Sequence, residues 1–399
     1  MTKTRTGNNK FLKSYNEAGV LDLIRTHGQI SRSELSRITG LSATAAGAIV
    51  ASLTAKDYIH ETGTGESKGG RKPVLIELKP GSHFSVGIDI DVDSIAFALT
   101  DITGRVLYED SGPMATGSPE STAEQIASYL KQLLSAWSPD PSRVLGIGVS
   151  VPGMVDSATH KVVLAPNLGW EDVDIGSILY GSLGIPVYVE NEAMASAICE
   201  NWLGACKGVE NFVCINIKSG IGAGIFTGGR LYRGAGGSAG EVGHIVVDEN
   251  GPKCGCGNYG CLETMASTGR IVEKVRRMLR QGMASSLNEA ASVDEIEIDA
   301  IAAAAREGDE AAREALLESA RFLGIALSDL VNTLNPSRIV LGKDFVKYGD
   351  LVMDRIKSVV ERKALKLAAS RVEILVSEIG ERSSTAGAAI IPLKLLFGK

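Results

Sequence analysis

The first stretch of the chain with a clear hydropathy period is residues 15–26. Ala18, Leu21 and Ile24, flanked by Val20 and Leu23, fall on one face of a helix. Ser31-Arg-Ser-Glu34 then has the form of a capping box, in which the Ser hydroxyl and the Glu carboxylate satisfy backbone N–H groups reciprocally, so a second helix starts at Ser31 and stops at Gly40. Ser42 caps a third helix running through Leu53, with Ile49, Val50 and Leu53 on its buried side. Two helices joined by Thr-Gly-Leu make a helix-turn-helix. Short strands at 58–61 and 74–78 around GTGESKGGRK add a glycine-rich, basic wing.

Beyond residue 80 strand and helix patterns alternate. Residues 84–90 form an apolar strand, 94–100 and the residues after them a hairpin, 122–134 an amphipathic helix, and 144–151 and 187–190 buried strands. This mixed order is that of an α/β body. Residues 212–217 open a second sheet and lead into Gly220, Gly222 and Gly224. Residues 294–320 are patterned as surface helices with a solvated charge run, while 322–334 are apolar enough to be core or subunit contact. The wing and Lys79-Pro-Gly-Ser82 are the places for a hinge.

Composition changes this picture in two ways. At 399 residues the chain is long enough for two or three domains, and no apolar run nears the roughly 20 residues that span a bilayer, so a soluble cytoplasmic protein is expected. The net charge of −6 is divided unevenly. Residues 1–80 hold 12 Lys and Arg against 7 Asp and Glu, a net of +5, which leaves −11 for the remainder. A basic head on an acidic body is the charge pattern of a head that meets nucleic acid. In that head Arg32, Ser42, Thr44, Lys68, Arg71 and Lys72 are the expected DNA contacts. The recognition helix offers only Thr44 and methyl-sized groups to base edges, so Arg71 and DNA shape carry more of the preference.

The densest chemistry lies in Glu241–Glu263. His244, Cys254, Cys256 and Cys261 supply the imidazole and thiolate donors of a tetrahedral Zn²⁺ site, and four protein ligands leave no open position, so the ion is structural. Cys199, Cys206 and Cys214 are scattered, and buried hydrophobes are expected there. Glu241 and Glu263 bracket the metal loop, and carboxylates suit sugar hydroxyls because each accepts several hydrogen bonds. The second ring nitrogen of a metal-bound His244 joins them as a polar group.

Glu241-Val-Gly-His244 and Cys254-Gly-Cys-Gly-Asn-Tyr-Gly-Cys-Leu-Glu263 resemble the ROK family, whose name stands for repressors, open reading frames and kinases. The resemblance implies a two-lobed actin-like, ribonuclease H-like sugar kinase fold preceded by the winged helix-turn-helix. The divisions are residues 1–80, then 81–195 closed by a terminal helix at 386–399, then 196–385. It also implies a sugar site made of Asn167, Asn191, Glu192, Glu241, His244 and Glu263. Glu192 stands where family kinases carry the aspartate base. Asp89-Ile-Asp-Val-Asp-Ser94 replaces their first phosphate loop, Lys218-Ser-Gly-Ile-Gly-Ala-Gly224 keeps the second, and Lys343-Asp344 replaces further glycine near the adenosine. The head matches the family's repressors in Ser31-Arg-Ser-Glu-Leu-Ser-Arg37 and Gly69-Gly-Arg-Lys-Pro73, and its wing is nearest the xylose-repressor branch. A non-enzymatic, sugar-responsive repressor is therefore expected, dimeric or tetrameric, with operator DNA and a monosaccharide as its partners. The alternatives are a sugar kinase with a DNA-binding head and a repressor controlled by a protein partner.

Overall fold

A computed structural model describes residues 9–65, 72–113, 117–137, 140–289 and 292–398. The chain forms two compact units: Met1–Val149 with Val173–Val189 and Ala388–Lys399, and Ser150–Asp172 with Glu190–Gly387.

The first unit begins with helices Asn9–His27, Arg32–Thr39 and Ala43–Ala55. The capping box is formed at Ser31 and Glu34, and Gly40 ends the second helix in the left-handed conformation. Ser42 caps the third through Ala45 N–H. The second and third helices cross their short turn at 118°. Val20, Leu21, Ile24, Leu35, Ile49, Val50 and Leu53 are all buried, so the predicted apolar faces do meet in a core. A three-stranded sheet, ordered Ile30–Ser31, Val74–Leu78, Ile59–Thr64, completes the head. The two-residue strand was not foreseen, and a bulge between Glu61 and Gly63 lengthens the other beyond 58–61. Glu17 ties first helix to third, accepting from Ser52 Oγ at 2.8 Å and from Lys56 Nζ at 2.6 Å.

Contacts bridge the segment 79–82, where a hinge was expected. Lys79 Nζ pairs with Asp57 at 2.6 Å, Gly81 N–H donates to Asp101, and His83 sits edge-on to Tyr58 with its ring centroid at 4.6 Å. Ser82 and His83 are buried. Beyond it lies a five-stranded sheet in the order Val187–Asn191, Val144–Val151, Phe84–Ile90, Ser94–Asp101, Val106–Pro113. Helix Pro119–Trp137 buries Ile126, Leu130 and Leu133. The closing helix, Ser383–Leu396, approaches the sheet closely: Ser85 Oγ donates to Ala389 O at 2.7 Å.

The second unit is built on the sheet Arg230–Tyr232, Ile221–Thr227, Phe212–Ile217, Arg338–Lys343, Glu373–Val376. Its last three strands are parallel. Helices Thr268–Arg280, Ile298–Arg306, Glu310–Leu334 and Gly349–Lys363 cover it, and Val213, Ile215, Val275, Leu323, Leu327, Ile339 and Ile356 form the shared core. The helices expected over 294–320 turn their charge run to water as expected and bury the other face, with Ile301, Ala312 and Leu316 in the core. Alanine at the contact lets the helix backbones approach while the charged residues face water. Cys199, Cys206 and Cys214 are buried, as expected of cysteines scattered outside the Glu241–Glu263 loop.

Candidate functional site

The four candidate donors lie on a loop that runs from the turn Val242–His244 to the N-terminus of helix Leu262–Ala266. Its start, the turn Val242–His244, lies against strand Ile221–Thr227, where a Cβ at Gly240 would collide with the Ala223 carbonyl and one at Gly243 with that of Ile221. Isolated bridges Val246–Cys261 and Lys253–Tyr259 then fold the loop back on itself. The result brings one donor atom each from His244, Cys254, Cys256 and Cys261 within 4.8 Å of one another. Cys254 Sγ is 3.7 Å from His244 Nδ1, and Cys256 Sγ is 3.6 Å from Cys261 Sγ. Bonds of about 2.3 Å to sulfur and about 2.0 Å to nitrogen in a tetrahedron require edges of roughly 3.8 and 3.6 Å. The donor set therefore fits a tetrahedral metal ion.

His244 turns Nδ1 to the thiols and leaves Nε2 4.0 Å from Glu241. Burial lifts the Glu241 carboxyl above its ordinary range, with His244 pulling it down and Glu263 pushing it up. Glu263, in the first turn of helix Leu262–Ala266, accepts from Ile221 N–H at 3.2 Å. Glu192 is the first residue of helix Glu192–Trp202, where the helix dipole favours a carboxylate. The next residue, Ala193, packs on Gly222. Glu241, His244 and Glu263 thus lie together beside the glycine-rich start of strand Ile221–Thr227, and the helix that begins with Glu192 packs on the same strand through Ala193.

Two other expected sugar residues are placed differently. Asn191 caps the same helix, its Oδ1 accepting from Ala193 N–H at 2.9 Å and Met194 N–H at 3.2 Å, while Nδ2 donates to Gly153 O at 2.8 Å. Both polar atoms thus take part in structural bonds. Asn167 is exposed on the short turn Pro166–Leu168. Motif spacing did not single out Arg233. It grips buried Glu190 with both nitrogens, at 2.9 and 2.5 Å, and also donates to Ser157, which fastens the loop before Glu241 to the strand before Glu192.

In the altered stretch Asp89–Ser94, Asp91 N–H donates to Ser94 O and Asp91 Oδ1 accepts from Val92 N–H, so residues 91–93 make a tight hairpin turn. Lys343 ends strand Arg338–Lys343 with its side chain inside the second unit. Its Nζ lies 2.9 Å from Glu192 Oε1 and 2.6 Å from Ser384 Oγ. The substitution of glycine by lysine was visible in the sequence, whereas its partner was not, because the two come together only through the tertiary fold.

In the head, Ser42 and Thr44 are exposed on the first turn of helix Ala43–Ala55, and Lys72 is exposed. Arg32 is paired with Glu61 at 2.9 Å, both half exposed, a contact weak enough for a phosphate to displace. Lys68 and Arg71 lie outside the described residues. Arg37, exposed in the last turn of helix Arg32–Thr39, is a further cation on this surface.

These features meet a consistent set of likenesses. The chain is 33% identical to the xylose repressor of Caldicellulosiruptor bescii over 96% of each chain. A solved ROK family transcriptional regulator, described as a homolog of the Escherichia coli MLC protein, matches with a TM-score of 0.86 at 30% identity over 97% of each chain. A ROK family glucokinase from Streptomyces griseus, solved with glucose and AMPPNP, matches with a TM-score of 0.68 at 32% identity, covering 98% of that chain but 77% of this one. The ROK family profile spans residues 85–394. A kinase-type α/β body of this topology, carrying the His/Cys cluster and its flanking glutamates and matched over most of its length, establishes that the chain belongs to the ROK family.

Proposed function

We propose that this protein is a sugar-responsive transcriptional repressor whose body binds a monosaccharide without phosphorylating it. The observation that carries the reading is the head. A capped helix pair crossing at 118°, with Ser42 and Thr44 exposed on the leading turn of the second helix, supports a helix-turn-helix reading. The similarity to a regulator over 97% of the chain includes this head, whereas similarity to the glucokinase stops at 77%.

In this reading Glu192, Glu241, His244 and Glu263 accept hydrogen bonds from, or donate them to, sugar hydroxyls, with Asn167 supplying a further contact. Asn191 acts by capping the helix that presents Glu192. His244, Cys254, Cys256 and Cys261 hold a structural Zn²⁺, which would brace the loop carrying Glu241 and Glu263. Arg233 steadies the other end of that loop. A homodimer sets two heads on a palindromic operator, with Arg32, Ser42, Thr44, Lys68, Arg71 and Lys72 toward DNA. The sugar releases the operator by binding one body conformation more tightly than the other, and its effect is limited to that difference in affinity.

The test is fluorescence anisotropy with a DNA fragment from the protein's own promoter region, titrated with D-xylose, D-glucose and N-acetylglucosamine. Release of the fragment by one of these, with no ATP consumed, is expected. Transfer of phosphate to a sugar at enzymatic speed would establish the kinase reading instead. Indifference to every sugar would remove the sensor.

A further inference from the structure

Helix Gly349–Lys363 and the residues after it carry their charge unevenly. Residues 355–371 hold six Lys and Arg against one acidic residue, Glu361, a net of +5 inside a body whose net is −11. Other cations of the same unit, among them Arg270, Lys274, Arg280, Arg306, Arg338 and Lys347, each lie against a carboxylate. Among the described residues, the exposed Arg355, Lys357, Lys363, Lys366 and Arg371 have no such partner, and Arg362 donates to Ser358 Oγ at 2.6 Å. The helix dipole favours cations in its last turn, which accounts for Arg362 and Lys363 but not for Lys357, Lys366 or Arg371. The same segment turns two leucines outward: Leu365 and Leu367 are 69% and 66% exposed, while Ala364 before them is buried. Their backbone is held, because Leu365 N–H donates to Asn332 Oδ1, Ala364 N–H to Val360 O and Ala369 N–H to Leu365 O, each at 2.9 Å. The leucines therefore project from an ordered knuckle, with Lys366 between them, and not from a frayed end.

We propose that residues 355–371 form a docking surface for an anionic lipid bilayer, with Leu365 and Leu367 entering the acyl boundary and the cations meeting headgroup phosphates. Composition decides between the occupants. Lysine is depleted at the core of protein interfaces, whereas lysine and arginine beside exposed leucine suit a charged bilayer, where the lysine stem lies along acyl chains with its ammonium among phosphates. A second copy would set like cations against one another across a two-fold axis. DNA would match the cations but leave the leucines in water. The acidic remainder of the body does not prevent the contact, because charges farther than about 8 Å are largely screened at physiological salt and the local excess decides. Two leucines are too few for a permanent anchor, so the contact is peripheral and reversible. None of these residues belongs to the sugar or metal sets, and the inference stands apart from the sensor reading.

The experiment sediments the full-length chain with vesicles of phosphatidylcholine alone or of phosphatidylcholine mixed equally with phosphatidylglycerol. Binding to the mixed vesicles only, falling as sodium chloride is raised, is expected. Lys363→Glu with Lys366→Glu should weaken it by about ten-fold or more. Leu365→Ser with Leu367→Ser should weaken it by about three-fold or more and leave the salt dependence unchanged. Arg32→Glu with Arg37→Glu, the same charge change placed in the basic head, should bind within about two-fold of wild type. All six positions are exposed, so the variants should fold, and circular dichroism melts matching wild type verify it. Equal binding to both kinds of vesicle, or to neither, would overturn the lipid surface. An equal loss from the head variant would move the contact to the head and overturn it too. A smaller oligomer for the leucine variant in sedimentation velocity would make the segment an interface between copies instead. Poly-L-glutamate bound as tightly as the mixed vesicles, with the leucine variant unaffected, would assign the surface to an acidic protein and sink the proposal.

Discussion

At Cys261 burial pushes the thiol up to about 12, whereas at exposed Cys256 the Asn258 N–H draws it below the ordinary thiol range. A metal ion binds thiolate, so it must expel the Cys261 proton, and acid competes with it. Metal affinity is therefore expected to fall by about ten-fold or more per pH unit between pH 8 and 6. Competition with a chromogenic chelator measures this, and a flat profile would exclude Cys261 as a ligand. Cys256→Ser should lower the bound-metal stoichiometry and abolish sugar release of DNA. Full metal content with a normal sugar response would detach the cluster from sensing. That these four side chains converge was legible from residue types and spacing, since an imidazole and three thiols within a glycine-rich loop have few other arrangements. The orientation of His244, with Nδ1 to the thiols and Nε2 to Glu241, was not, because it is set by tertiary packing.

Helices in the head rest on caps and on one buried carboxylate. Burial by itself would raise the Glu17 pKa, yet hydrogen bonds from Lys56 and Ser52 outweigh it and hold the group below its usual value. A depressed carboxyl stabilises the fold above its unfolded value and loses that contribution as pH falls through the folded one. Glu17→Gln should therefore be less stable than wild type near neutrality, with the difference shrinking below about pH 4.5. Circular dichroism melts of the two proteins across pH test this, and a difference independent of pH would contradict it. Ser31→Ala removes the capping box and should cost about 1 kcal/mol in denaturant unfolding. Caps were readable because they are made by residues three apart in sequence. The role of Glu17 was hidden, because Ser52 and Lys56 reach it from a helix that the sequence leaves free to pack in several registers.

For the whole molecule, a sugar present at about 100 times its dissociation constant adds about 2.7 kcal/mol of stability. Differential scanning fluorimetry against a panel of free and phosphorylated sugars should thus show a rise in Tm for the true effector alone, while ATP should give no shift. An ATP-induced shift comparable to the sugar's would restore a nucleotide site despite the hairpin turn at 91–93. The bridged segment 79–83 belongs to this scale too. The head and the first sheet fold as one unit, so breaking the Lys79–Asp57 pair with Asp57→Ala should leave sugar affinity unchanged while altering its coupling to DNA release. Unchanged coupling would show that this contact does not transmit the signal.

Local regularities were sufficient for the element types, the α/β order and the donors of the metal cluster. Strands 144–151 and 212–217 fell on their predicted bounds because fully apolar runs between turn residues admit one reading. Tertiary structure alone decided that Lys343 finds Glu192, that Asn191 spends its side chain on a helix end, and that Arg233 clamps Glu190. The physical reason is the range of the forces involved. Hydropathy period and capping act within a few residues and are written along the chain, whereas an ion pair depends on which distant segments burial brings within a few ångströms.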